Sequence, residues 1–298
     1  MTNLLGVLAP IIFVISPSIE ALGFEKDLRP LVNENLLEFM NSTFERSPQL
    51  EGFDNESVIG PSRGYQGVLL ISEGDETFTR VANNGALNIR LNVEPDTRFA
   101  IASLTKQFIG VALYRLSSQG KVNLHSALSR YFPNLSGEWG HVTPWRLLNH
   151  TARVNDHGYS LIKASTPWSN CRSSRSFEYS FENLLSKAFE NPVNAFSVGE
   201  LTLYSNAAYT VLAALIKRVS KVDYKEYIRR EFLIPLKMEN TGFIESEFSR
   251  VQIARGYGFV GENEDSISPP IDFSVFQGSA DMYSNTDDLN KWAMAIRS

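Results

Sequence analysis

The sequence has a single cysteine, Cys171, so it holds no intrachain disulfide and no metal site built from thiolates. The setting of that cysteine, "WSNCRSSRSF", is polar and offers no partner base, so it reads as a loop thiol rather than a nucleophile. Histidine is nearly as scarce. His125, His141, His150 and His157 make neither a His-x-x-x-His pair nor a His-Glu-x-x-His site, which argues against a zinc hydrolase. No metal and no cofactor is expected. Basic charge is also short: 28 Lys and Arg against 33 Asp and Glu leave a net charge of -5, with the cations scattered along the chain, so nucleic acid is not an expected partner. No apolar run is long enough for a stable membrane span.

What is present is a folded chain. Hydrophobic residues make up 43% and charged residues 20% of 298, enough for one large domain or two lobes sharing a core. Residues 4–15 form an apolar run of leader length, followed by small residues, and cleavage after Ser18 or Ala21 is expected. Pro10 inside the run argues against a buried first helix. A signal peptide over residues 1–21 and a secreted or periplasmic location are therefore expected, and no cysteine near the cleavage region suggests a lipid anchor.

Beyond it, residues 24–44 carry apolar side chains at helical spacing. Residues 67–72 and 77–82 read as a hairpin around Gly74, and 97–99 as a short extended piece. Residues 104–119 form a long apolar-faced helix that stops at Gly120. From residue 123 to about 278 the pattern is mostly helix and loop. Thr143 and Pro144 open one helix as N-cap and first position, and residues 156–178 make a long polar loop. Helices follow over 181–188, in "SNAAYTVLAALIKRVSK", in "YKEYIRREFLIPLKM", and in "TDDLNKWAMAIRS", which opens at Ser284 or Asn285. Strands are few and early.

Ser-x-x-Lys occurs three times, at Ser103/Lys106, Ser118/Lys121 and Ser160/Lys163, so context must choose among them. The second spans Gly120 at a helix end, and the third lies in the polar loop. Only Ser103 and Lys106 stand at the start of a long helix after an extended segment. There, positions i and i+3 share a face and free helix N–H groups favour negative charge on oxygen. A serine needs an adjacent base to be a nucleophile, and a lysine serves if burial lowers its pKa. On these two residues alone, an N-cap serine and a solvated lysine stand ahead of a catalytic pair. Tyr204 and Asn206, in "LTLYSNAAYT", precede another apolar helix. A phenol there can shuttle protons and an amide can bind a substrate carbonyl, or the pair is simply a capped turn.

In order and spacing, "GVLLISEGDETFTRVANNG", "FAIASLTKQFIGVALYRLSSQGK", "VTPWRLLNHTA", "LYSNAAYTVLAALIKRVSK", "YIRREFLIPLKMENTGF", "IARGYGF" and "GSADMYSNTDDLNKWAMA" resemble the serine β-lactamase and penicillin-binding-protein-like family, in its class C and esterase branch. The resemblance implies an α/β (α+β) fold: an antiparallel sheet flanked by helices, beside a mostly helical lobe, with the site in the cleft between lobes. It divides residues 24–298 into 24–102 (α/β lobe), 103–278 (helical lobe) and 279–298 (return helix). It implies that Ser103 is the nucleophile, with Lys106 and Tyr204 sharing the proton traffic and Asn206 binding substrate. It casts Tyr283, in a second Tyr-Ser-Asn, as structural. The implied activity is acyl transfer through an acyl-serine on an ester, a β-lactam or a D-Ala peptide, so the expected partner is a small-molecule or peptide substrate.

Two departures stand out. Where the family commonly reads His-Thr-Ser-Gly, this chain has His150-Thr151-Ala152-Arg153, so a re-routed loop is expected. The family's third motif, Lys-Thr-Gly or His-x-Gly on a later strand, does not follow Tyr204. A chain shortened at its C-terminus and lacking the last sheet strands is therefore expected. The alternative that goes with it is a non-catalytic relative that binds peptidoglycan fragments or a protein partner.

Overall fold

The structure is a computed structural model. It describes residues 13–14, 66–73, 76–83, 93–135, 137–156, 179–190, 193, 202–244, 253–254, 257–259, 265–267 and 273–297. The helix expected at 24–44, Cys171, and the Ser160/Lys163 pair lie outside these residues. The chain divides into two compact units.

The first unit comprises Met1–Phe99, Gln252–Pro269 and Ser284–Ser298. Its hairpin pairs β2 (Gln66–Glu73) with β3 (Glu76–Asn83) in unbroken antiparallel register, from Gln66 opposite Asn83 to Glu73 opposite Glu76. Val68, Leu69, Leu70 and Ile71 are all buried, so both faces of β2 are covered, as a run of consecutive apolar residues predicts. Val68 packs with Val93 and Phe99, and Val81 and Ala254 close that cluster. The two-residue β1 (Phe13–Val14) runs parallel to Leu70 and Ile71. The last helix of the chain, α7 (Thr286–Arg297), packs on β2, and Ser72 Oγ donates to Asn290 Oδ1 at 2.8 Å. Asn285 caps α7 by accepting the Asp288 N–H at 2.9 Å, where the sequence placed the helix start.

The second unit comprises Ala100–Val251 and Pro270–Tyr283. At its centre is α5 (Asn206–Ser220), whose residues from Asn206 to Ile216 are all buried. Ser205 caps it by accepting the Ala208 N–H at 3.2 Å. A helix apolar all round needs neighbours on every side. Here they are α1 (Thr105–Ser118), α3 (Pro144–Leu148), α4 (Phe181–Glu190) and α6 (Tyr224–Ile228). A short α2 (Gly137–His141) packs beside the 3-10 turn Leu128–Arg130. Thr143 caps α3 with Pro144 at its first position.

The region read from sequence as helix and loop also holds strands. β5 (Gly242–Phe243) pairs antiparallel with β8 (Met282–Ser284), which follows that region, and β4 (Phe99–Ala100), at the end of the extended piece expected over 97–99, flanks β8 on its other side. In the first unit, β6 (Tyr257–Phe259) pairs with β7 (Asp265–Ile267). Strands of two or three residues leave no alternation to read. The helix expected through "YKEYIRREFLIPLKM" is α6 followed by a π turn at Arg229–Leu233, where Ile234 N bonds back to Arg229 O at 2.9 Å. Pro235 has no N–H to continue an α ladder, and the chain turns out at Lys237 with φ 52°.

Candidate active site

The nucleophile candidate is turned outward by backbone geometry. After β4, Ala102 takes a left-handed φ of 45°, and a 3-10 turn over Ala102–Leu104 leads into α1. A non-glycine residue in that region costs roughly 1–3 kcal/mol, and such strain persists only where packing over-determines it. Packing does so here. Ile101 N donates to Met282 O at 3.0 Å, and Met282 N donates to Thr105 Oγ1 at 3.3 Å, which pins both sides of the turn to β8. Ser103 is thereby exposed, while Lys106, one turn further, is 93% buried (7% exposed).

Lys106 Nζ donates to three oxygens: Asn206 Oδ1 at 2.8 Å, Ser279 O at 3.0 Å and Ser103 Oγ at 3.2 Å. Its ammonium also lies 4.7 Å from the Tyr204 ring centre and 5.3 Å from that of Tyr209. Burial pulls its pKa from 10.5 down to about 7, against the upward pull of Asp156 and then Asp281. Near neutral pH the amine therefore spends much of its time without its third proton. The neutral amine has two N–H groups and one lone pair. Asn206 Oδ1 and the Ser279 carbonyl can only accept, so they keep the two N–H groups. The lone pair is left facing Ser103 Oγ, the one partner able to donate.

Tyr204 OH stands 2.6 Å from the same Ser103 oxygen. The phenol is half-exposed but its backbone is clamped. Leu203 N donates to His150 O at 3.0 Å and Ser205 N donates to His150 Nδ1 at 3.2 Å. The His150 ring stacks on Tyr204 at 4.5 Å and 30° and lies 5.3 Å from Tyr209. Because Nδ1 accepts, the neutral ring carries its proton on Nε2. Burial first, and the Lys106 cation second, hold His150 below its usual pKa and so keep it neutral. Tyr209 is not a second shuttle: burial raises its phenol to about 12, and its OH is spent on Leu148 O at 3.0 Å.

Asn206 completes the pairing by donating its Nδ2 to Asp156 Oδ2 at 2.8 Å. The Ser279 carbonyl is delivered by a tight approach at Gly278, φ 80°. A Cβ there would meet Ala213 Cβ at 2.7 Å and Tyr209 O at 3.1 Å. Thr210 Oγ1 donates to Gln277 O at 2.9 Å, and Gly278 N donates to the buried Asp281 at 3.0 Å. Asp281 in turn accepts from Tyr224 OH at 2.6 Å.

The structure thus brings Ser103, Lys106, Tyr204 and Asn206 together within the second unit. Ser118 Oγ instead bonds Arg115 O at 2.8 Å, and Lys121 lies beyond Gly120 at φ 70°. Tyr283 is committed to β8 and lies over Gly242. Arg153 takes φ 52°, so the left-handed region is accessible at the position read as a departure despite the missing glycine. His150, Asp156 and the Ser279 carbonyl were not singled out in the sequence. Among the described residues no three His, Cys, Asp or Glu side chains are grouped to hold a metal ion, and no helix is long and apolar enough to cross a membrane.

A Beta-lactamase family model matches residues 61–298. Protein flp of Staphylococcus aureus is 28% identical over 230 residues, covering 76% of this chain and 44% of that protein. The chain therefore spans less than half the length of the curated relatives it matches. Among solved structures, the D-amino acid amidase from Ochrobactrum anthropi complexed with L-phenylalanine amide is 25% identical with a TM-score of 0.63, covering 77% of this chain and 63% of that one. The penicillin binding protein from Bacillus halodurans is 23% identical with a TM-score of 0.59, covering 78% and 71%, and shares the fold.

Proposed function

The chain belongs to the Beta-lactamase family, and from that membership we propose that it is an exported serine hydrolase working by acyl transfer. The observation that carries this reading is a buried lysine amine 3.2 Å from Ser103 Oγ, with a phenol 2.6 Å from the same oxygen. As Ser103 Oγ bonds to the substrate carbonyl carbon, its proton passes to Lys106 Nζ. The carbonyl electrons move onto its oxygen, for which the Ser103 backbone N–H at the start of a helical segment supplies one donor. Collapse of the tetrahedral intermediate breaks the bond to the leaving group, which takes its proton from Tyr204 OH. Water then attacks the acyl-serine by the same route reversed, releasing the acid and restoring the Ser103 hydroxyl. Asn206 holds the amine in place and offers its amide to the substrate.

The substrate is an acyl ester, a β-lactam or a D-Ala peptide. Likeness to a D-amino acid amidase supports an acyl group with a D-configured centre. The test is pre-steady-state turnover of nitrocefin, p-nitrophenyl esters and D-alanyl-D-alanine peptides with substrate in excess over enzyme. A burst of leaving group matching the enzyme concentration on at least one of them, lost in Ser103→Ala, is expected. Binding of muropeptides with no burst on any substrate would instead favour a non-catalytic relative. Export rests on the apolar run at residues 4–15. The intact N-terminus recovered from a secreting host, uncut near Ser18 or Ala21, would count against it.

A further inference from the structure

We infer that Asp156 is a positioning residue for the acyl-transfer reaction, fixing which end of the Asn206 amide faces Lys106 and supplying the negative charge that balances the amine. The inference rests on the acyl-transfer reading for its purpose and on geometry for its content. An asparagine amide fits its pocket equally well either way round, and only its partners decide. Asp156 Oδ2, 2.8 Å from Nδ2, is a pure acceptor when ionised, and the Lys106 ammonium is a pure donor 2.8 Å from Oδ1. Turning the amide over would set its NH2 against the ammonium and its oxygen against the carboxylate, two repulsions in place of two bonds. Without Asp156, one half of that discrimination is gone. The Lys106 lone pair would then no longer be confined to the Ser103 direction, because a flipped Asn206 leaves the amine one acceptor fewer.

The second role is electrostatic. The groups facing Lys106 are the rings of Tyr204, Tyr209 and His150, the Ser103 hydroxyl, and two carboxyls, Asp156 and Asp281. Of the two, Asp156 is the stronger influence on the amine. Asp281 is fully buried, held by Tyr224 OH and the Gly278 N–H, with its own pKa raised by burial. His150 does not oppose the effect, since Asp156 also raises its pKa and removing that charge leaves the ring neutral. Asp156 thus keeps the amine basic enough to take a proton from serine, in a site whose burial would otherwise carry it too low.

Asp156→Asn separates the roles, because the new side-chain oxygen still accepts from Asn206 Nδ2 while the charge is lost. The experiment follows the Lys106 side chain by NMR on 13C-lysine protein across pH 5–10, alongside the pH profile of Ser103 labelling by a fluorophosphonate. Lys106 in wild type is expected to titrate near 7. In D156N the midpoint and the acid limb of the labelling profile both move to lower pH, by on the order of one unit. Asp156→Glu restores them, and Asp156→Ala, which also frees the amide, loses roughly ten- to a hundredfold in labelling rate. Should D156N not fold, Asp156→Ser serves the same comparison. Coincident Lys106 midpoints in wild type and D156N would overturn the inference. A shifted midpoint with no Ser103 label in wild type would leave the Asp156 effect standing and sink the acyl-transfer reading instead.

Discussion

Replacing Gly278 by alanine tests how the Ser279 carbonyl is held against Lys106. Two separate costs arise. Gly278 has φ 80°, where an L side chain is disfavoured by roughly 1–2 kcal/mol. Its new Cβ would also sit 2.7 Å from Ala213 Cβ and 3.1 Å from Tyr209 O, both on the fully packed α5, and overpacking of that kind costs roughly 1–3 kcal/mol. The sum is about 2–5 kcal/mol, a fall in Tm on the order of 5–15 °C for a unit of this size. Gly120 supplies the control. It has φ 70° but no atom within 4 Å of its would-be Cβ, so Gly120→Ala bears the conformational cost alone, about 1–2 kcal/mol. Thermal and urea unfolding of the two variants, with Ser103 labelling rates, give the comparison. G278A should lose more stability than G120A and also label more slowly, because the 277–279 segment can relieve the clash only by backing away from α5 and from Lys106. Equal losses, or a G278A enzyme labelled at the wild-type rate, would refute the reasoning.

Three further outcomes follow from the same geometry. Labelling of Ser103 should rise with pH to a plateau, with a midpoint near 7, because only the amine that has lost its third proton can accept from the hydroxyl; a rate independent of pH between 5 and 9 would contradict this. The folded pKa of Lys106 lies below its unfolded value of 10.5, so the unfolded chain binds more protons between about 7 and 10.5 and wild type gains stability as pH rises through that window. Lys106→Met lacks this term, so its stability relative to wild type should decline by up to about 1.4 kcal/mol per pH unit there, measured by urea unfolding. His150→Phe keeps a ring against Tyr204 but leaves the Ser205 N–H without its acceptor, a loss of roughly 1–3 kcal/mol with slower labelling; unchanged stability and rate would show that His150 does not hold Tyr204.

The parts of the site that could be read in the sequence are those set by local structure. Ser103 and Lys106 lie one helical turn apart at a helix start, and Tyr204 and Asn206 flank the cap of α5, so spacing and capping marked both pairs as candidates and the family resemblance chose them. The parts that could not be read arrive from far along the chain. Asp156 is 50 residues from Asn206, and the Ser279 carbonyl 173 from Lys106. Asp156 stands at the edge of a polar stretch with no periodicity, and a backbone carbonyl has no side-chain signature at all. His150 was noticed only for its neighbours, yet it braces Tyr204 from both sides. The reading that arginine would lose access to positive φ at position 153 did not hold, because a glycine-like conformation is strained for other residues, not forbidden, and Arg153 adopts φ 52°. The long helices and the β2–β3 hairpin followed apolar periodicity, whereas strands of two or three residues such as β5 and β8 are created by their partners.

The most direct measurement is the site and lysine dependence of covalent labelling. The protein is treated with a fluorophosphonate at pH 8, digested, and the adduct located by mass spectrometry in wild type and in K106M. A single adduct on Ser103 in wild type, reduced at least a hundredfold in K106M, is the predicted result. An adduct on Ser118 or Ser160 instead, or equal labelling of Ser103 with and without the lysine, would contradict it.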